Sequence, residues 1–95
     1  SIYEEALCYE FELQEIGYKR QVPADIVYKG RVIKGQKIDL IVEDQVVVEI
    51  KSLSKMPEVA MAQTLSYLKA TSLRRGLIVN FGEKRRIDGI KRVSL

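Results

Sequence analysis

Residues 38–51, Ile38-Asp39-Leu40-Ile41-Val42-Glu43-Asp44-Gln45-Val46-Val47-Val48-Glu49-Ile50-Lys51, decide how this chain is read. Two runs dense in Val, Ile and Leu flank a polar break at Asp44-Gln45. Such runs read as buried strands joined by a turn. Asp39, Glu49 and Lys51 interrupt them with charge. A buried carboxylate or ammonium group needs a partner, or it neutralises. Two accounts fit these residues: an internal ion pair, or a divalent cation held by Asp39 and Glu49 with Lys51 beside it.

Strand alternation puts Glu49 and Lys51 on one face, with Ile50 on the other. The turn decides whether Asp39 joins them. A two-residue loop, Asp44-Gln45, would point Asp39 away. A three-residue loop, Asp44-Gln45-Val46, pairs Glu43 with Val47, sets Asp39 opposite Lys51, and makes Asp39 and Glu49 diagonal neighbours. The cation account therefore requires an odd-length loop or a bulge, and the ion pair survives the same loop through Asp39 and Lys51.

Outward from this hairpin, residues 2–16 read as a helix ended by Gly17 as its C-cap. Tyr3, Ala6, Leu7, Glu10, Leu13 and Gln14 share one side of it, with Glu4, Glu5, Glu12 and Glu15 largely on the other. Glu10 is the oddity, either a partner for a basic side chain or a carboxylate approaching the metal from the helix. Residues 18–28 read as a strand with Pro23 at an edge or bulge, and Lys29-Gly30 as a two-residue turn. Residues 31–43 form a long second strand interrupted near Gly35. Pro57 opens a second helix running to about Thr71. It has two apolar sides, Met61-Leu65-Leu68 and Val59-Ala60-Tyr67-Ala70, with Gln63 centred in the latter. One side is expected on the sheet and the other on the first helix or a second subunit, which leaves a homodimer open. Residues 77–81 form a fourth strand, 82–86 a basic loop, and 87–95 a terminal strand or tail. The order helix, three-strand meander, helix, strand gives an α/β fold with an α-β-β-β-α-β core. A mixed sheet is flanked by helices, in a single domain over residues 1–95.

Asp39 followed by Glu49-Ile50-Lys51 on two hairpin strands resembles the PD-(D/E)XK nuclease superfamily. Tyr3-Glu4-Glu5-Ala6-Leu7, Gln21-Val22-Pro23, Tyr28-Lys29-Gly30, Gln63 to Tyr67-Leu68, and Asn80-Phe81 through Gly89-Ile90-Lys91-Arg92 resemble its small GxxExxY branch. Tyr3 matches the motif's Tyr; the motif's Gly and Glu would precede Ser1 and are not in this chain. The resemblance implies a restriction-endonuclease-like fold and metal-dependent phosphodiester hydrolysis. Asp39, Glu49 and the Ile50 carbonyl would hold Mg²⁺ or Mn²⁺, and Lys51 would orient water or stabilise charge on the phosphate. Gln63 would position the water or Lys51. Tyr67 would pack nearby or touch the nucleic-acid backbone. The expected partner is nucleic acid, DNA ahead of RNA. The alternatives are a non-cleaving nucleic-acid-binding module and an assembly subunit using Met61, Leu65 and Leu68.

Composition narrows the chemistry. The chain has 95 residues and no His, which excludes His-based acid–base catalysis and His-ligated zinc. Any metal must then be oxygen-ligated, favouring Mg²⁺ or Mn²⁺. The single cysteine, Cys8, excludes an internal disulfide and fits packing in a protein of the reducing cytosol. No run nears the roughly 20 apolar residues of a membrane span, and no signal-peptide pattern is visible. The absence of an initial Met is expected of a trimmed product. The net charge of +3 is polarised: residues 1–17 carry five Glu and no Lys or Arg, whereas residues 74–95 carry seven basic and two acidic residues. That basic third suits a polyanion. Arg74, Arg75, Lys84, Arg85, Arg86, Lys91 and Arg92 are its candidates for phosphate contact, without base preference.

Overall fold

A computed structural model describes residues 1–54, 57–82 and 89–95. Helix α1 (Ile2–Leu13) leads into strands β1 (Tyr18–Pro23), β2 (Ile26–Tyr28), β3 (Arg31–Ile33), β4 (Lys37–Val42) and β5 (Val46–Lys51). Helix α2 (Glu58–Thr71) crosses to β6 (Arg75–Asn80), and β7 (Ile90–Ser94) closes the chain. One five-stranded sheet has the order β1-β4-β5-β6-β7. Only β5 and β6 pair in parallel in it, as the helical crossover between them requires. The expected mixed α/β sheet with flanking helices is therefore present.

Alternation on β5 divides the core. Val47 joins Ile78, Tyr67, Leu68 and Ala60 beneath α2. Val48 joins Leu40 and Cys8 beneath α1, with Leu7 and Phe11 packed on them. The helix α2 approaches β6 closely because position 76 is glycine: a Cβ there would lie 3.0 Å from Thr64 Cγ2. Leu68 is fully buried at this contact. Leu68→Ala should cost about 2–5 kcal/mol, read as a lower urea midpoint at unchanged m.

Several expectations need correction. The meander strands 18–28 and 31–43 are each two strands. Their inner halves, β2 and β3, leave the main sheet as a separate antiparallel ribbon. Pro23 and Gly35 (φ 82) mark where each changes sheet. The Lys29-Gly30 turn is as read, with positive φ at both residues and Tyr28 paired to Arg31. The helix α1 stops at Leu13, and Gln14 rather than Gly17 caps it, with Glu15 in the left-handed region. The helix α2 has one wide inward face, Ala60, Thr64, Tyr67 and Leu68, instead of two apolar sides. Met61 and Leu65 pack against the same core, so Met61, Leu65 and Leu68 do not make a free assembly surface. None of the described helices is long and apolar enough to cross a membrane.

Candidate active site at the parting of two strands

The hairpin loop has the required odd length, but it begins one residue early. Gln45 N donates to the Val42 carbonyl at 3.0 Å, and Glu43 and Asp44 both sit at φ 54. Val42 therefore pairs with Val46, Ile41 with Val47 and Leu40 with Val48. Continued by one step, this register sets Asp39 opposite Glu49, not opposite Lys51. The turn corrects the expected diagonal arrangement to a direct one, on one face.

The backbone ladder does not make that next step. Beyond Leu40 and Val48 the strands part: β5 continues along β6 to the pair Lys51–Asn80, while β4 continues along β1 to Pro23–Lys37. The carboxylates replace the missing rungs. Asp39 N donates to Glu49 Oε2 at 2.8 Å, and Ile50 N donates to Asp39 Oδ2 at 2.8 Å. The β1 side is interrupted at the same level. Pairing resumes at Val22–Ile38 after Arg20–Leu40, skipping Gln21, which has φ 52. Asp39 thus lies where regular pairing lapses on both flanks.

Glu49 is 2% exposed. Burial pushes its carboxyl up to about 7, and the charge of Asp39 adds to the rise; the Asp39 backbone N–H and the charge of Lys51 oppose it. Lys51 Nζ lies 4.0 Å from Glu49 Oε1 and donates to Gln63 Oε1 at 2.9 Å. Gln63 Nε2 donates to Tyr67 Oη at 3.1 Å, and Tyr67 Oη donates to the Lys37 carbonyl at 3.3 Å. One turn of α2 therefore ties Lys51 back to the strand carrying Asp39. Burial also pushes the Tyr67 hydroxyl up to about 12, keeping it a donor at neutral pH. Among the described residues no ion pair joins Asp39 to Lys51; the ammonium group turns to Glu49 and Gln63.

Glu10 does not approach this site. It is exposed and lines a cleft of about 660 Å³ with Tyr3, Phe81 and Ile90. The inward positions of α1 are Glu4, Leu7, Cys8 and Phe11. Glu4 is the carboxylate the sequence reading overlooked. It is buried and satisfied by Arg20 Nε at 3.0 Å and Gln21 Nε2 at 2.9 Å, and its charge bears on Glu49. The spacing of positions 4, 7, 8 and 11 was its available signal.

Asn80 is a second unforeseen participant. Its Oδ1 accepts from Leu53 N (2.8 Å) and Gly82 N (3.1 Å), and its Nδ2 donates to the Leu53 carbonyl at 2.9 Å. Phe81 N donates to the Lys51 carbonyl at 2.8 Å. Gly82 approaches Leu53 so closely that a Cβ would stand 2.4 Å from its carbonyl oxygen. These contacts fix the strand end that carries Lys51.

The described basic residues of the C-terminal third, Arg74, Arg75, Lys91 and Arg92, are spread along the sheet. Arg75 pairs with Val46, five residues before Lys51 and roughly 16 Å away at about 3.3 Å per residue. Arg74 precedes it. Arg92 pairs with Leu77, whose side chain packs on the α1 side. Lys91 pairs with Ile78, itself opposite Glu49, and shares that face two strands away. Lys84, Arg85 and Arg86 lie outside the described residues.

A profile described as the PD-(D/E)XK nuclease superfamily matches residues 1–93. The chain belongs to the PD-(D/E)XK nuclease superfamily. This superfamily member shares its fold with a solved protein, "Crystal structure of SSO0001", at a TM-score of 0.68 and 20% identity over 98% of the chain. It spans about half, 48%, of that structure's length. A comparison with curated proteins finds no match.

Proposed function

We propose that this chain is a divalent-cation-dependent nuclease that hydrolyses phosphodiester bonds of nucleic acid, DNA ahead of RNA. The observation that carries the reading is the reciprocal bonding of Asp39 and Glu49 to each other's strand. Each carboxylate spends one oxygen on a backbone N–H, which fixes it, and keeps a second oxygen for a ligand. The superfamily supports the same reaction.

The donor set fits Mg²⁺ or Mn²⁺. Among the described residues no third Asp, Glu, Cys or His completes a protein cage. Mg²⁺ typically keeps several waters and takes one or two carboxylates. Asp39, Glu49 and the Ile50 carbonyl would hold it. Such a cation polarises the scissile phosphate and lowers the pKa of its bound water. Lys51, set in direction by Gln63, stabilises the charge that grows on the phosphate oxygens. Gln63 and Tyr67 hold Lys51 at one angle and touch no substrate in this scheme.

The test is cleavage of mixed DNA and RNA by purified protein, with and without Mn²⁺. Lys51→Ala should slow cleavage about 10²–10³-fold while nucleic-acid binding largely persists. Wild-type cleavage by a folded Lys51→Ala protein would remove it from the reaction, and wild type inert on every substrate with Mn²⁺ would reject the nuclease reading.

A further inference from the structure

We infer that the β2–β3 ribbon is a phosphate-contacting arm that seats duplex nucleic acid beside the carboxylate pair. This rests on the nuclease reading and assigns the substrate contact to a place other than the C-terminal third.

Residues 26–37 contain Lys29, Arg31, Lys34 and Lys37 and no Asp or Glu. All four are exposed. Among the described residues none of them forms an ion pair, whereas Lys19 and Arg20 are paired with Asp44 and with Glu4 and Glu5. Three cations on or beside the ribbon, Lys29, Arg31 and Lys34, with Lys37 at the start of β4, create a local field for a polyanion. Asp25 lies at the foot of the ribbon in a cleft of about 500 Å³ with Lys29 and Lys69.

The ribbon is held firmly. Ser66 Oγ donates to the Val27 carbonyl at 2.7 Å and accepts from Val27 N at 3.1 Å, so α2 takes the place of a missing strand at that edge. Ile26 is buried in the core. The turn residues Lys29 and Gly30, at φ 50 and 80, give the mirror-image turn that suits strand twist. Lys29 Nζ stands 5.4 Å from the centre of the Tyr28 ring. A basic arm with a fixed base loses little order on binding.

Its position matches a duplex. Lys37 lies two residues before Asp39, and its carbonyl is the last link of the chain from Lys51. Along α2, Gln63 faces the site and Ala70 the ribbon turn, about 10 Å apart at about 1.5 Å per residue. The major groove is about 12 Å wide and admits a two-stranded ribbon. A duplex with one phosphate at the carboxylates can therefore present its neighbouring groove to Lys29, Arg31 and Lys34.

The test is equilibrium binding of the full chain to a short duplex by anisotropy, at several salt concentrations and without divalent metal. The combined replacement Lys29→Gln, Arg31→Gln, Lys34→Gln should bind roughly tenfold more weakly at low salt. Its log–log salt slope should be shallower by up to about three contacts, at about 0.9 each. Each single replacement should remove about one contact. The side chains are exposed and form no ion pair among the described residues, so thermal melting should stay close to wild type. Wild type that binds duplex, with a triple variant of equal slope and affinity, overturns the arm alone. Wild type that binds no nucleic acid overturns the arm together with the nuclease reading beneath it. Tighter, ribbon-dependent binding of polyglutamate than of duplex would assign the arm to an acidic protein and overturn it as well.

Discussion

Asp39→Ala should lower Mn²⁺-supported cleavage at least about a thousand-fold, a loss of about 4 kcal/mol of transition-state stabilisation. Asp39 does two things at once. Its Oδ2 accepts the Ile50 N–H, which fixes the backbone between Glu49 and Lys51, and its charge sits beside Glu49. Alanine removes both. Asp39→Asn separates them, because the amide oxygen can still accept the Ile50 N–H while the charge is gone. A cation-ligand role gives near-complete loss in both variants. A purely structural role gives loss in Asp39→Ala and near-wild-type cleavage in Asp39→Asn. Single-turnover rates on a common DNA substrate decide between them, with urea melts recorded for each protein.

Glu49→Gln should stabilise the metal-free protein at pH 8 by about 3 kcal/mol while destroying cation binding. The Glu49 carboxyl stands at about 7 against an ordinary value of 4.5, chiefly through burial. The folded state therefore holds a proton that the unfolded chain releases between about pH 4.5 and pH 7. The stabilisation is fully present below about pH 4.5 and is lost as pH rises through about 7. Above that, the folded state carries a buried charge worth about 3 kcal/mol, by the conversion of about 1.4 kcal/mol per pKa unit. Glutamine has no such charge and its oxygen can still accept the Asp39 N–H. With EDTA present, wild type should lose stability from pH 5 to pH 8 relative to the variant. Added Mn²⁺ should restore stability at pH 8 to wild type alone, because it binds only that folded state. Parallel pH profiles for the two proteins would contradict a buried, raised Glu49.

How much of this could be read from residues alone varies with the kind of interaction. The hairpin, the second helix and the shared face of Glu49 and Lys51 were legible because apolar density and strand alternation are local properties, whereas the place of Asp39 hung on the length of the turn. The register was not. Residues 43–45 lack an Asn-Gly or Asp-Gly signal, and the turn is made by Glu43 and Asp44 in the left-handed region, which neither residue advertises. The change of sheet looked like an edge position or a bulge at Pro23 and an interruption near Gly35, because a strand's local pattern does not say which sheet it joins. The first helix was read out of phase since an inward Glu4 is acceptable only once Arg20 and Gln21 arrive from β1. Asn80 bonds across 27 residues of sequence to Leu53, a contact that no local pattern announces.

The central claim is that Asp39 and Glu49 together hold the cation, and Mn²⁺ titration calorimetry on wild type, Asp39→Asn and Glu49→Gln tests it most directly. At pH 8 wild type should bind one Mn²⁺ with little proton release, and both variants should bind far more weakly. At pH 6 wild type should bind more weakly than at pH 8 and release close to one proton, seen as a dependence of heat on buffer ionisation enthalpy, since Glu49 must ionise first. Equal Mn²⁺ binding by all three proteins, unchanged between pH 6 and pH 8, would contradict the two-carboxylate centre.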